Sequence, residues 1–359
     1  MEPDRTPDRV QEAPLDRMQE GISKDALPKV LASSVIRSAH RGESHGGLYL
    51  VDLATGNDRQ LLSWDDPSIS WKGRGGDRGL RGIAFHDGLV YIAASDEIFV
   101  FDSSFKLIDS FTNPYLKHCH EIDVYDGRLY LTSTGFDSIL EVDLDTHRFL
   151  RGFSFRMSRV RYAASRVPRH LSMQTTRIVP RPNVFNPESK SGPSSGDQLH
   201  INSVFVDEGG MYVSGRKTGC LLQIDISSSV DEQVPPYIPT PFGTHNVLPM
   251  RHGDLDKKVI MNDTKRDVIL VVGERGQTRE QWPIPRYDEE SLERNDLPED
   301  HARQAFGRGL KVWNDFIIVG SSPATITAYA HSRSDPITSV NLTLDVRNAI
   351  HGLEVWPFT

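Results

Sequence analysis

The sequence predicts an all-β fold, a six-bladed β-propeller closed by strands from both ends of the chain, and three observations carry that expectation. From about residue 33 onward, short alternating apolar runs are separated by Gly, Asp and Asn turns, the pattern of half-buried strands rather than helices. A unit of inner strand, turn ("HDG", "YDG", "DEGG" or "WND"), second strand and a third strand ending in an aspartate-bearing turn recurs along the chain. Its spacing, about 40 to 50 residues, is the period of a four-stranded blade. The last copy, "HGLEVWPF", stops after one strand, and its missing partners stand near the N-terminus in "SSVIRSAH" and "HGGLYLVDLATGNDRQLLSW". Closing the ring this way removes the exposed edges that an open sheet would leave.

Residues 1–30 read as a polar, proline-bearing leader, with one helical stretch expected around "LDRMQEGISKDALPKVLAS". Residues 31–359 read as a single propeller domain. Five blades follow the N-terminal strands, beginning at "RGIAFHDG", "HEIDVYDG", "NSVFVDEGG", "HNVLPMRHG" and "RGLKVWND", and the split blade makes six. The aspartates of "VDLATG", "VDLDT" and "IDISS" recur at one outer position and read as turn-capping residues rather than a calcium site. Two connections are longer than a blade needs, at residues 155–199 and 275–306. Each precedes an inner strand, so both are expected to overhang the face where inner strands begin, as lids or as surface elaborations.

Composition narrows the function. A formal net charge of −8 with 25% charged residues provides no global basic field for nucleic acid. Two cysteines, Cys119 and Cys220, lack the spacing of a disulfide framework or thiolate zinc site. With no signal-like segment at the N-terminus and no run of about 18 apolar residues, a cytoplasmic protein with neither nucleic-acid nor membrane partners is expected, its oligomeric state open. Walker, GxSxG and dinucleotide motifs in strand–helix context are absent from the sequence.

The chemistry-bearing pattern lies at the start of each inner strand, where His120, His245 and His351 alternate with Arg81, Asn202 and Arg308. Inner strands sit roughly 60° apart in a six-bladed ring, so the three imidazoles are expected to converge on the axis from alternate blades. Three such ligands suit a divalent cation, zinc or ferrous iron, with a coordination position left for water or substrate. Arg81 and Arg308 would bind an anionic group of a small substrate, and Asn202 would orient water or substrate. His118 and His200, two residues upstream of their blades' slots, are candidates for a general base or fourth ligand. Glu121 is expected to face a neighbouring blade. The other histidines, His45 among them, read as solvated loop residues.

The runs "HEIDVYDGRLYLTSTGFDSILEVD", "HINSV", "HNVLPMRHGDLDKKVIMN" and "RGLKVWNDFIIVGSSP" resemble a bacterial family of propeller proteins of unknown function over roughly residues 75–325. That resemblance implies the fold and supplies no activity. In geometry alone, the axial triad is similar to that of peptidyl-hydroxyglycine amidating lyase, a six-bladed propeller with zinc held by three histidines. The likeness implies His120, His245 and His351 as ligands and Arg81 or Arg308 as the anion binder. The leading expectation is therefore a metal-dependent lyase or hydrolase acting on a small anionic substrate. A metal-independent cyclase or isomerase and a non-catalytic binding scaffold are the alternatives.

Overall fold

A computed structural model of the chain describes residues 23–40, 42–65, 79–156, 180–226, 235–250, 258–297 and 303–358. The described residues form six antiparallel sheets. Three strands of the first blade are N-terminal, β1 (Lys29–Ile36), β2 (Gly47–Asp52) and β3 (Asn57–Ser63). The second blade comprises β4 (Ile83–His86), β5 (Leu89–Ala94), β6 (Glu97–Phe101) and β7 (Leu107–Thr112). The third has β8 (Ile122–Tyr125), β9 (Arg128–Ser133), β10 (Ser138–Asp143) and β11 (Phe149–Arg156), and gains a fifth strand, β12 (Arg181–Phe185).

The fourth blade is built from β13 (Ile201–Asp207), β14 (Gly210–Gly215), β15 (Cys220–Ile224) and β16 (Tyr237–Pro239). The fifth follows with β17 (Thr244–Met250), β18 (Lys258–Asp263), β19 (Val268–Val272) and β20 (Thr278–Pro283). The sixth has β21 (Arg308–Trp313), β22 (Phe316–Ser321), β23 (Thr325–Ala330) and β24 (Pro336–Asn341). The last strand, β25 (Asn348–Val355), crosses back to pair with β1 and becomes the inner strand of the first blade.

Local chemistry explains the hairpins. In "HDG" and "YDG", Asp87–Gly88 and Asp126–Gly127 have positive φ at both turn residues (45° and 78°, 48° and 68°), as a two-residue turn matched to strand twist requires. Asp52 Oδ1 accepts from the Thr55 amide at 3.0 Å and Asp143 Oδ1 from the Thr146 amide at 2.9 Å. Asp52 and Asp143, two of the repeated outer aspartates, thus cap turns. Cores lie between adjacent blades: Val30, Ala32, Ile350 and Leu353 of the closing blade pack with Phe316, Ile318 and Ile326 of the sixth.

Several expectations need correcting. β1 begins at Lys29, and among the described residues of the stretch expected to be helical only Lys24–Ala26 form a 3-10 turn; residues 1–22 of the leader lie outside the described residues. Leu27 is already buried in the core, so the propeller starts a few residues before 31. Part of each long connection is blade: β12 falls within 155–199, and β20 occupies the beginning of 275–306. Residues 157–179 and 298–302 of these connections lie outside the described residues. His45 is fully buried, its backbone bonded to Ile36 and Trp64. Among the described residues, no helix is long and apolar enough to cross a membrane.

Closure rests on the β1–β25 pairing, with Val30 opposite Val355, Ala32 opposite Leu353 and Ser34 opposite Ile350. Ile350→Ala should cost about 2–5 kcal/mol, as large-to-small core changes do, and removing residues 348–358 should abolish the cooperative transition in chemical denaturation. A shortened chain that unfolds cooperatively at the wild-type midpoint would contradict this role for β25.

Candidate functional site

The six slot residues, Arg81, His120, Asn202, His245, Arg308 and His351, are all buried, none more than 7% exposed. Local irregularity aims them. The β13–β14, β17–β18 and β21–β22 ladders shift register at Ile201/Ser203, His245/Leu248 and Arg308/Leu310, and such a bulge turns a side chain out of strict alternation. Close approach does the rest. A Cβ on Gly352 would lie 2.1 Å from the Arg81 carbonyl oxygen. The glycine following His351 therefore lets the closing strand reach the second blade, and Gly82, following Arg81, donates its amide to the His120 carbonyl at 2.9 Å.

Arg308 gathers the ring. Its Nη1 lies 2.9 Å from His351 Nε2 and 3.3 Å from His120 Nδ1. Arg81 Nη1 lies 3.4 Å from His120 Nε2 and donates to the Cys119 carbonyl at 3.4 Å. The His120 ring centroid stands 5.2 Å from that of His351 and 5.4 Å from that of His200, and His200 is 6.4 Å from His245. Burial first, then the neighbouring arginines, hold the imidazoles of His120, His245 and His351 well below the usual histidine range. These rings are neutral at physiological pH. Burial and the guanidiniums of Arg37, Arg81 and Arg216 also lower the pKa of Arg308, although so strong a base keeps its charge at neutral pH.

A neutral imidazole has one donor and one acceptor nitrogen, and a guanidinium only donates. His351 Nε2 therefore accepts from Arg308, leaving the proton on Nδ1, which is buried without a hydrogen-bond partner. His120 has a guanidinium at each nitrogen and can accept from only one. Both ring nitrogens of His245 and Oδ1 of Asn202 are also buried and unpartnered, while Asn202 Nδ2 donates to the Thr244 carbonyl at 3.4 Å.

His200 joins the ring from above. Asp137 accepts from the amides of Gln198, Leu199 and His200 at 2.7–3.1 Å, fixing the end of the first long connection. There Asp197 takes His200 Nδ1 at 2.9 Å. Burial lowers the pKa of His200 while Asp197 opposes the shift. The second connection contributes Phe306, whose ring lies 5.9 Å from His245 and is faced by Arg37, Arg308 and Arg303 at 4.7, 4.9 and 5.2 Å. The ends of both connections thus contribute a residue to the site, Asp197 and Phe306. His118 shares the left-handed backbone of His200 (φ 54° and 55°) and is half-buried; it is His200 whose ring contacts draw it into the cluster.

The expected three-histidine metal cage is not what this arrangement forms. Arg308 reaches across from its blade and occupies nitrogens of two of the three imidazoles. No group of three or more His, Cys, Asp or Glu side chains able to hold a metal ion occurs among the described residues. As arranged, the triad does not fit zinc or ferrous iron. Burial pushes the Cys119 thiol up to about 12, which leaves it inert as a nucleophile.

Below the ring, Glu121, Asp123, Asn246, Lys311 and Glu354 line a cavity of about 250 Å³. Glu121, expected to face a neighbouring blade, instead turns into this chamber and accepts from Asn246 Nδ2 at 2.6 Å. Burial raises Glu121 to about 8 and Asp123 to about 7. Sequence reasoning missed this chamber, Asp197 and Phe306. One signal was present for Phe306: it precedes Arg308 by two residues, as His200 precedes Asn202 and His118 precedes His120.

The fold and site define a six-bladed propeller with a polar, arginine- and histidine-lined axis. The sequence matches no protein-family model and no curated protein. Among solved structures, the chain is similar to a protein of unknown function from Bacteroides caccae, with TM-score 0.52 and 9% identity over 91% of this chain and 98% of that one. It is also similar to virginiamycin B lyase from Staphylococcus aureus, with TM-score 0.40 and 12% identity over 71% of this chain and 70% of that one. The first likeness shows the fold alone.

The two chambers should respond oppositely to pH. Neutral buried histidines stabilise the fold above their unfolded pKa, and that contribution is lost as pH falls below about 6.5. Asp123 has its folded pKa raised from 3.8 to about 7, so its contribution is complete below about 4 and is lost as pH rises through 7. Asp123→Asn, which cannot ionise, should flatten the decline in Tm between pH 5 and 8. Wild-type and variant curves that stay parallel would contradict the assignment.

Proposed function

We propose that the chain is an enzyme that binds a small anionic substrate on the propeller axis and acts on it by acid–base chemistry of the lyase type. Arg308 and Arg81 hold the anionic group, and His200 is the base. The observation that supports this reading best is the Asp197–His200 pair beside the arginine cluster. Asp197 takes the Nδ1 proton, which leaves the Nε2 lone pair of His200 to accept a proton and stabilises the imidazolium that results. Buried guanidiniums close by would offset negative charge developing on the substrate as His200 Nε2 takes a carbon-bound proton, the C–H electron pair forms the double bond and the group on the adjacent carbon leaves with its bonding pair. Asn202 Oδ1 and His245 are unpartnered and would hydrogen-bond substrate hydroxyls or amides. His120 and His351 serve in this reading as acceptors that position Arg308.

The metal-dependent form is a second reading, favoured by one observation: His245 has both ring nitrogens unpartnered and His351 has Nδ1 unpartnered. It requires Arg308 to withdraw from His120 and His351. Elemental analysis of untagged protein, with activity measured before and after adding zinc or ferrous iron, separates the two readings. Stoichiometric metal lost in His245→Ala supports the second reading, and full activity of metal-free protein supports the first.

Proton abstraction is measurable without knowing the product. Exchange of carbon-bound protons in D2O, followed by NMR across a panel of small carboxylates and phosphate esters, should be catalysed by the wild type. His200→Gln should slow it by about 10²–10⁴-fold. Because the His200 pKa is lowered, the rate should reach its plateau by about pH 6.5. Asp197→Asn removes the group that opposes the shift, and should move the rising limb further toward acid while lowering the plateau. Unchanged exchange in His200→Gln would contradict the assignment of the base.

A further inference from the structure

The chamber beneath the arginine–histidine ring holds charges that do not pair off. Inner strands of five blades wall its cavity of about 250 Å³. Four ionisable side chains line it: Glu121 and Asp123 from the third blade, Lys311 from the sixth and Glu354 from the closing strand. Lys311 is spent on Glu354, with Nζ 2.8 Å from Oε1 and 2.6 Å from Oε2. Among the described residues, neither Glu121 nor Asp123 has a cation within ion-pair distance. Amides serve them instead: Asn246 Nδ2 donates to Glu121 Oε1, and the amides of Val124 and Val206 donate to the two oxygens of Asp123 at 3.0 and 2.6 Å. Glu121 Oε2 has no hydrogen-bond partner among the described residues. A carboxylate oxygen carries two lone pairs, so both groups keep acceptor capacity for an occupant of the cavity.

We propose that this chamber binds a primary ammonium carried on a short apolar chain, with the ammonium between Glu121 and Asp123. An ammonium offers three N–H donors on one charge, which suits two carboxyls that each have an acceptor to spare. Hydrogen bonds between ionised partners are the strong ones. The rest of the wall is largely apolar, with Val204, Phe205, Leu248, Pro249, Leu310 and Leu353 facing the cavity, and it complements a hydrocarbon chain. At roughly 30 Å³ per water the volume equals about eight waters, enough for a chain of about four carbons. That wall disfavours a metal ion, since hard cations need oxygen ligands or water all round. Among the described residues no three acidic, histidine or cysteine side chains converge to hold one. Lys311 and Glu354 are 31% and 25% exposed, so the chamber opens beside their ion pair.

Four probes test the site by thermal shift and calorimetry at pH 8 and constant ionic strength: n-butylammonium, n-butanol, tetramethylammonium and magnesium. n-Butylammonium should raise the Tm. n-Butanol keeps the chain without the charge, and tetramethylammonium keeps the charge without the N–H donors; neither should raise it, nor should magnesium. Asp123→Asn and Glu121→Gln should each weaken n-butylammonium binding by roughly ten-fold, and the second variant keeps the test open if the first fails to fold. Affinity should rise between pH 6 and 8, because burial raises the Asp123 pKa to about 7 and the ammonium binds the ionised form. The charged groups around Asp123 are Glu121, Lys311 and Glu354; the fourth and fifth blades present only neutral side chains to the chamber, Ser203 and Asn246 among them. Asp123→Asn should flatten the rise.

Equal stabilisation by n-butanol would make the chamber an apolar cavity in which charge plays no part, and equal stabilisation by tetramethylammonium would make it a cation site without hydrogen bonds. Either result overturns the primary ammonium. Stabilisation by magnesium that is lost in Asp123→Asn overturns it in favour of a metal. n-Butylammonium binding unchanged in both Asp123→Asn and Glu121→Gln overturns the location, and no stabilisation by any of the four overturns the site. The arginine–histidine ring shares no side chain with the lining of this chamber, so none of these outcomes bears on the reading of the ring.

Discussion

The pairing of the last strand with the first is the constraint on which the rest of the molecule depends. It completes a ring whose inner strands would otherwise end at an open edge, and it brings His351 into the axis beside residues more than 200 positions away. The seam is stitched by Ser33, which accepts from the Gly352 amide at 2.8 Å and donates to the Arg81 carbonyl. Three blades therefore meet at one point: β1 with β25, the start of the second blade at Arg81, and Arg308 of the sixth. A side chain at Gly352 would collide with the Arg81 backbone, so closure and site geometry are enforced by the same contact.

Once the ring is closed, electrostatics divides its axis in two. Above, guanidiniums face neutral imidazoles. Below, Glu121, Asp123 and Glu354 surround Lys311, which bonds Glu354 at 2.6 Å. A chain of amides separates the halves: Asn262 Nδ2 donates to Asn246 Oδ1 at 3.0 Å, and Asn246 Nδ2 donates to Glu121 at 2.6 Å. Glu121 is thus the acidic group nearest in influence to Arg308, yet burial keeps it largely protonated at neutral pH. Among the described residues no carboxylate lies within ion-pair distance of Arg308, whose guanidinium is held by the imidazoles of His120 and His351 instead.

The fold was legible because the propeller's periodicities, two along a strand and one blade along the chain, are both written in residue order, and closure follows from a final unit with one strand. The six slots were legible for the same reason. What happens at each slot was not. Alternation predicts that neighbours on a strand face opposite sides, but the bulges at Asn202, after His245 and at Gly309 break that rule. Asn246 consequently enters the lower chamber, and Glu121 joins it from the end of the third blade's regular β8–β9 ladder. The expected metal triad treated the three histidines as converging alone; Arg308 is long enough to lie between His120 and His351, and which long side chain crosses an axis is decided by packing rather than spacing. Asp197 sits at the end of a long connection that carries no repeat, so periodicity says nothing of it, and Phe306 was signalled only by standing two residues before its blade's slot.

The central claim is that neutral imidazoles on the axis accept hydrogen bonds from a buried guanidinium. Nitrogen-15 NMR of the histidine side chains tests it most directly. At pH 7, His351 should be neutral with its proton on Nδ1 and an unprotonated Nε2, and should show no titration near the ordinary histidine pKa of about 6.5. An imidazolium at pH 7, or a ring protonated on Nε2, would mean that Arg308 does not donate to His351 and that the account of the axis is wrong.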